Sequence, residues 1–421
     1  MKKLFTVCIL LIVFTANASA QWNLTGNANT IDGTNFIGTT NNVAFSIRVN
    51  NQKSGRIDPA LGNSFYGYLS GMGNTTGYYN TANGTGSLNH NTWGYNNTAL
   101  GNAALFSNID GISNTATGNQ ALFSNISGNY NTATGSQALF KNNYGYQNTA
   151  TGYFALYNNT VGYNNTALGY SALSSNSAGY NNTAIGLSAL SSNTSGIGNT
   201  GIGITTLTFN QLGSYNTAIG YNAGANSGQN PSNFTALGYY AGHIGGNDNT
   251  VEVGNSSVIY IGGQVGWSVF SDKRIKDNIK ENVPGLSFIK ELRPVTYNLN
   301  IHRQNEITGI SKTGERDWEG KYDIEKTTMT GFLAQDVATA ADRIGYDFSG
   351  VTKPKNNTDL YSLRYSDFVV PIVKSIQEQQ QMIEQQAKEI EELKILVKQL
   401  IEKNKTQPCN TVVKQVETIN N

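Results

Sequence analysis

The sequence predicts a mainly β protein: a repetitive β-roll or β-solenoid shaft, then a small α+β domain ending in a long coiled-coil helix. Three observations carry that expectation. An Asn-Thr-Ala-x-Gly motif returns every 17 residues through the first half of the chain. Charge is nearly absent there and dense after Ser271. A heptad of apolar residues closes the sequence.

In chain order, residues 1–20 read as a secretory signal. Lys2 and Lys3 are followed by an apolar run, Leu4 to Phe14, and by a small-residue cleavage site at Ala18-Ser19-Ala20. That run is too short to span a bilayer as a retained helix. No integral membrane anchor is expected, and the mature protein is expected to be secreted or held at the cell surface. Cys8 leaves with the signal, so Cys409 alone cannot form an intrachain disulfide. Net charge is +1, which excludes a nucleic-acid partner bound by bulk electrostatics. Residues 21–79 read as a β-rich N-terminal cap, with a strand in the alternation of Asn42 to Val49.

Residues 80–254 hold the repeat. Its Asn falls at 80, 97, 114, 131, 148, 165, 182, 199 and 216, and its Gly at 84, 101, 118, 135, 152, 169, 186, 203 and 220. A Leu column, Leu88 to Leu207, keeps the same period; in the last unit Gly224 takes its place. A chain rich in Gly, Asn, Ser and Thr would ordinarily be disordered, because it buries too little apolar surface to offset its entropy. Registry over nine copies favours stacking instead, since each rung must set the same residue on the one below. Seventeen residues suffice for two short strands and two turns, with Gly and Asn at the positive-φ corners. A core of Ala and Leu this thin implies association with further copies. The pattern, as at Asn182 to Gly186, resembles the head repeats of YadA-like trimeric adhesins. That resemblance implies a left-handed β-roll trimerising side by side.

Residues 255–270 form a junction, and a second kind of domain is expected over 271–421. Read alone, Ser271 is a helix N-cap, with Asp272 in the first turn and Asp272/Lys276 an i,i+4 pair. Four ordered motifs add more: Ser271-Asp-Lys-Arg-Ile-Lys276, Leu292-Arg-Pro-Val-Thr-Tyr297, Gly331-Phe-Leu-Ala-Gln-Asp-Val337 and Tyr365-Ser-Asp-Phe-Val-Val-Pro-Ile372. Together they resemble the C-terminal intramolecular chaperone of phage endosialidase tailspikes, a self-cleaving serine peptidase family. The resemblance implies Ser271 as nucleophile, Lys276 as general base and Phe270–Ser271 as the scissile bond. A lysine can act so only when partly neutral, which desolvation or nearby cations such as Lys273 and Arg274 would promote. Positions five apart lie on different faces of a straight helix, so the pair would meet through a bend or across subunits.

Asp336 and Asp367 read as a helix start and an N-cap-like turn rather than reactive carboxylates. His90, His243 and His302 are scattered, and neither a metal nor another cofactor is expected. The coiled coil spans about 366–405, with Val369, Ile376, Ile383, Ile390, Val397 and Asn404 at a and Ile372, Gln379, Gln386, Leu393 and Leu400 at d. The heptads alone lean toward a dimer; the resemblances imply a homotrimer. Beyond itself, the chain is expected to meet a surface glycan or a protein. An enzyme acting on surface sugars is a weaker reading, because glycoside hydrolysis generally needs two carboxylates and between Pro59 and Val251 the only acids are Asp110 and Asp248.

Overall fold

The computed structural model describes residues 31, 36–224, 230–242, 247–308, 320–357 and 359–406. The expected signal peptide, His243 and Cys409 lie outside them. The fold is mainly β, a solenoid followed by a small α/β region and a long C-terminal helix. The chain divides into two compact units, Met1–Thr151 and Gly152–Asn421, and each carries part of the repeat.

The first unit opens on a hairpin of β1 (Phe45–Val49) and β2 (Gln52–Asp58). Asn50 and Asn51 at its turn both take positive φ (46° and 57°), as a tight hairpin turn requires. β3 (Asn63–Tyr66) pairs antiparallel with β2 and parallel with β4 (Thr81–Asn83). Stacking therefore starts one rung upstream of the first Asn-Thr-Ala motif, with Phe65 in the column that later holds Ala. β5 (Thr98–Leu100), β6 (Thr115–Thr117), β7 (Thr132–Thr134) and β8 (Thr149–Thr151) follow in parallel register, Thr on Thr and Ala on Ala. In the second unit the pattern runs from β9 (Thr166–Leu168) through β10 (Thr183–Ile185), β11 (Thr200–Ile202), β12 (Thr217–Ile219) and β13 (Thr235–Leu237) to β14 (Val251–Val253).

Each rung has one three-residue strand where the sequence led us to expect two. The opposite side is a turn whose backbone also bonds from rung to rung: Leu105 N–H donates to Ala121 O (3.0 Å), and Ser107 N–H to Phe123 O (3.0 Å). The left-handed corners are filled differently too. Gly118 has φ +133°, and a Cβ there would lie 2.5 Å from Gly135 O, so glycine is required. Leu88, Leu105, Leu122 and Leu139 are left-handed as well, at φ near 50°. Non-glycine residues rarely go there. Here the conformation turns each Leu into the interior, where all four are fully buried.

Two asparagine columns fill the rest of the interior. In the first, the backbone N–H of Asn97 donates to Asn80 Oδ1 (3.0 Å), and the Asn97 Nδ2 donates to Gly111 O (2.8 Å). In the second, Asn108 Nδ2 donates to Asn91 Oδ1 (2.7 Å) and to Gly111 O (3.0 Å). The second unit repeats both patterns, as in Asn199 N to Asn182 Oδ1 (2.9 Å) and Asn193 Nδ2 to Asn176 Oδ1 (2.8 Å). Each buried amide is thus satisfied by the rung beside it. Among the described residues the second column stops at Asn210. Its Oδ1 is left buried without a hydrogen-bond partner.

After the repeat come α1 (Leu286–Ile289), β15 (Val295–Tyr297), α2 (Ile301–Thr308), β16 (Met329–Gly331), α3 (Ala334–Arg343), the short pair β17 (Val351–Thr352) and β18 (Ser362–Leu363), and α4 (Val369–Thr406). β15 pairs antiparallel with β16. Phe288, Val337, Ala340, Ala341, Phe348 and Phe368 form the core they enclose. Among the described residues no helix is long and apolar enough to cross a membrane.

The ladder makes a quantitative prediction. Asn131→Ala orphans the Asn148 N–H (3.0 Å) inside the solenoid and removes one of the two amide donors to the Gly145 carbonyl (2.9 Å), leaving it the bond from Asn142. It should cost about 1–3 kcal/mol in denaturant unfolding. Thr132→Ser next door, on the exposed face, should stay within about 0.5 kcal/mol.

Candidate functional site

Ser271 and Lys276 bracket a single 3-10 turn, Lys273–Ile275. The N-cap is Asp272 rather than Ser271. Asp272 has extended φ/ψ (−69°, 135°), and its carboxylate accepts the Arg274 N–H at 2.8 Å. No i,i+4 pair joins Asp272 to Lys276, because no α-helix forms. The Asp272 carboxylate instead holds the Arg274 guanidinium (2.6 Å). That side-chain bond keeps the Asp272 carboxyl below its ordinary range and raises the Arg274 guanidinium. Arg274 is therefore neutralised locally and is not the free cation the sequence offered.

Freed of its expected partner, Lys276 turns back across the 3-10 turn, and its Nζ donates to Ser271 Oγ at 2.6 Å. A bend within one chain suffices to bring together two residues that a straight helix would separate. Phe270 precedes them outside any helix or strand. The segment around the pair is exposed throughout, with Trp267 and Phe270 each 95 % exposed and Val269 87 %. Large apolar side chains are seldom left this bare in a run. Within one chain nothing walls off the Ser271–Lys276 pair.

The other motifs build the domain behind it. Arg293 reaches Asp336 in the first turn of α3 (2.7 Å), so the Leu-Arg-Pro and Gln-Asp-Val motifs are clasped together. Asp367 lies in a 3-10 turn, Tyr365–Phe368. It accepts from Ser349 Oγ (2.8 Å), the largest of several contacts that hold its carboxyl below the usual range. Both carboxylates have structural partners. Tyr365 OH accepts the Phe332 N–H (3.0 Å), and Phe332 stacks on Phe368 at 5.3 Å. His302 stacks on Tyr322 (4.2 Å) and meets Glu325 (3.0 Å). That bond is the main reason the Glu325 carboxyl lies below its ordinary range. Among the described residues no group of His, Cys, Asp and Glu could hold a metal ion.

Two residues that position the long helix were missed in the sequence. Glu378 Oε2 accepts the Leu286 N–H (2.7 Å) at the start of α1. At Gly285 a Cβ would lie 2.7 Å from Ser375 N, so the loop before α1 can lie against α4 only without one. Nothing local marks either contact, because 92 residues separate Leu286 from Glu378. Beyond this anchor the apolar heptad positions are bare: Ile376 57 %, Ile383 58 % and Leu393 63 % exposed.

Residues 271–346 match the model of a peptidase family described as the chaperone of endosialidase. The match begins at Ser271 and ends just past α3, so the Tyr365–Ile372 motif lies outside it although it packs into the same core. No curated protein and no solved structure matches the chain.

The packing predicts a contrast. Phe368→Ala empties the aromatic core and should destabilise this domain by about 3–5 kcal/mol in thermal unfolding. Arg293→Ala, losing an exposed ion pair, should cost about 1 kcal/mol or less.

Proposed function

We propose that this chain is an exported, fibre-like surface or adhesion protein. Its C-terminal domain acts as an intramolecular chaperone for trimer assembly and then severs itself at Phe270–Ser271. An endosialidase-type chaperone domain behind a β-solenoid fits a tail-fibre-like protein. The observation that carries the finer reading is the 2.6 Å approach of Lys276 Nζ to Ser271 Oγ, at the residue where the family match begins.

In this reading the neutral Lys276 amine takes the Ser271 Oγ proton as Oγ adds to the Phe270 carbonyl carbon. The tetrahedral adduct collapses by breaking the Phe270–Ser271 peptide bond. The departing Ser271 nitrogen takes the proton back from Lys276, which leaves an ester between Phe270 and Ser271 Oγ. Water, deprotonated by the same amine, hydrolyses the ester. The products are a chain ending in the Phe270 carboxylate and a fragment beginning with a free Ser271 amine. A neutral lysine requires desolvation. The exposed junction and the bare heptads of α4 supply surfaces on which further copies would exclude water from the pair. Cleavage would then follow assembly.

Intact-mass measurement tests the chemistry. The parent protein should yield a product ending at Phe270, while Ser271→Ala and Lys276→Met stay full length. Identical patterns in parent and variants would overturn the assignment. Assembly has its own test: Ile383→Asp places a charge in the heptad seam and should abolish the trimer in sedimentation equilibrium, and cleavage with it.

Stacked, exposed tyrosines on the solenoid, such as Tyr153 and Tyr170 with ring centroids 5.5 Å apart, favour a surface glycan among the partners.

A further inference from the structure

The inward column of the solenoid ends on an anomaly. Ala218 and Ala236 occupy it fully buried, and in the register of β13 and β14 the next member is Glu252. A carboxyl stands where the fold calls for a methyl. Beside it lies a cavity of about 370 Å³, walled on one side by Glu252 and Val258 and on the other by Leu299, Ile301 and Asn305. Asn305, on the inner face of α2, is only 8 % exposed, and its Oδ1 is buried with no hydrogen-bond partner. Burial alone pushes the Glu252 carboxyl up to about 7.

The Glu252 carboxylate is an acceptor in this cavity, and a buried carboxylate left without a donor is costly. Among the described residues that line the cavity none is Lys, Arg or His. The group that satisfies this acceptor and its charge is a cation with several N–H donors and no acceptor. The aliphatic walls suit a short alkyl chain behind it. We propose that this cavity binds an alkylammonium group, from a small free amine or from a lysine side chain of a second copy, with the Glu252 carboxylate as its acceptor.

Glu252 and Asn305 lie on opposite sides of the Phe270–Ser271 bond, so full-length Ser271→Ala is the protein to use. It keeps both walls in one chain whether or not the parent cleaves, and the two readings therefore fail separately. Titration calorimetry with n-butylammonium chloride, and with n-butanol as the neutral analogue, reads the site. The amine should bind at pH 8 and the alcohol much more weakly. Adding Glu252→Gln should weaken the amine by about tenfold or more, as loss of a charged partner does, and leave the alcohol unchanged, which shows the cavity intact. Tyr240 is the other titratable group lining the cavity. The ammonium keeps its charge throughout. Amine affinity should therefore climb from pH 6 to pH 8 as Glu252 ionises, and lose that slope in the Gln variant. Binding accompanied by dissociation of the oligomer identifies the native occupant as a lysine of a second copy; binding without it identifies a free amine. No amine binding, equal binding of the alcohol, or an unchanged affinity after Glu252→Gln would overturn the proposal.

Discussion

The hydrogen bond from one asparagine to the next, repeated every 17 residues, is the constraint on which the solenoid depends. A typical rung contributes one short strand, two Ala and one Leu to its own interior, too little apolar surface to hold a chain with 46 glycines. Asn97 and Asn108 add fixed polar contacts, both donating to Gly111 O while their Oδ1 atoms accept from the rung beyond. Because the buried amides, Asn210 Oδ1 apart, are completed by a neighbour, a rung is stable only inside a stack. A stack of this kind has to be ended deliberately. At the upstream end, Phe65 and the β1–β2 hairpin cover the first coil. At β14, a carboxyl breaks the column of small residues.

The columns were legible in the sequence because a side chain that stacks on its own kind must recur at one phase. Ala, Leu, Asn and Gly all did. The shape of the turn was not legible. Leucine has no local preference for positive φ, so Leu105 and its equivalents take that conformation only because the rungs on either side bind the turn backbone and bury the side chain. Tertiary context decided against propensity. The number of strands per rung was misjudged for the same reason: the turn side carries rung-to-rung bonds without being a strand.

At the junction Lys276 lies against Ser271, through a local geometry other than the helical cap expected. Ser271, Asp272, Lys273 and Arg274 offer two capping side chains and two cations within four positions. Asp272 prevails because its carboxylate satisfies a backbone N–H and a guanidinium together. That choice removes Arg274 as an activating charge and leaves Lys276 for Ser271. Glu378 and Gly285, which tie α4 to the domain, carry no local signal because their partners are distant in the chain.

The same domain shows two opposite treatments of apolar surface. Phe288, Phe348 and Phe368 are packed to near-complete burial, while Trp267, Phe270, Ile383 and Leu393 stay bare. A chain able to bury three phenylalanines in a small domain does not leave four equally large side chains in water without a reason. The bare residues fall on the strip before the proposed scissile bond and on the heptad seam. Covering these apolar strips with further copies would dry the pair by the same act that assembles the fibre. The chemistry would then need no separate switch: the hydrophobic free energy that joins the chains would also strip the water from Lys276.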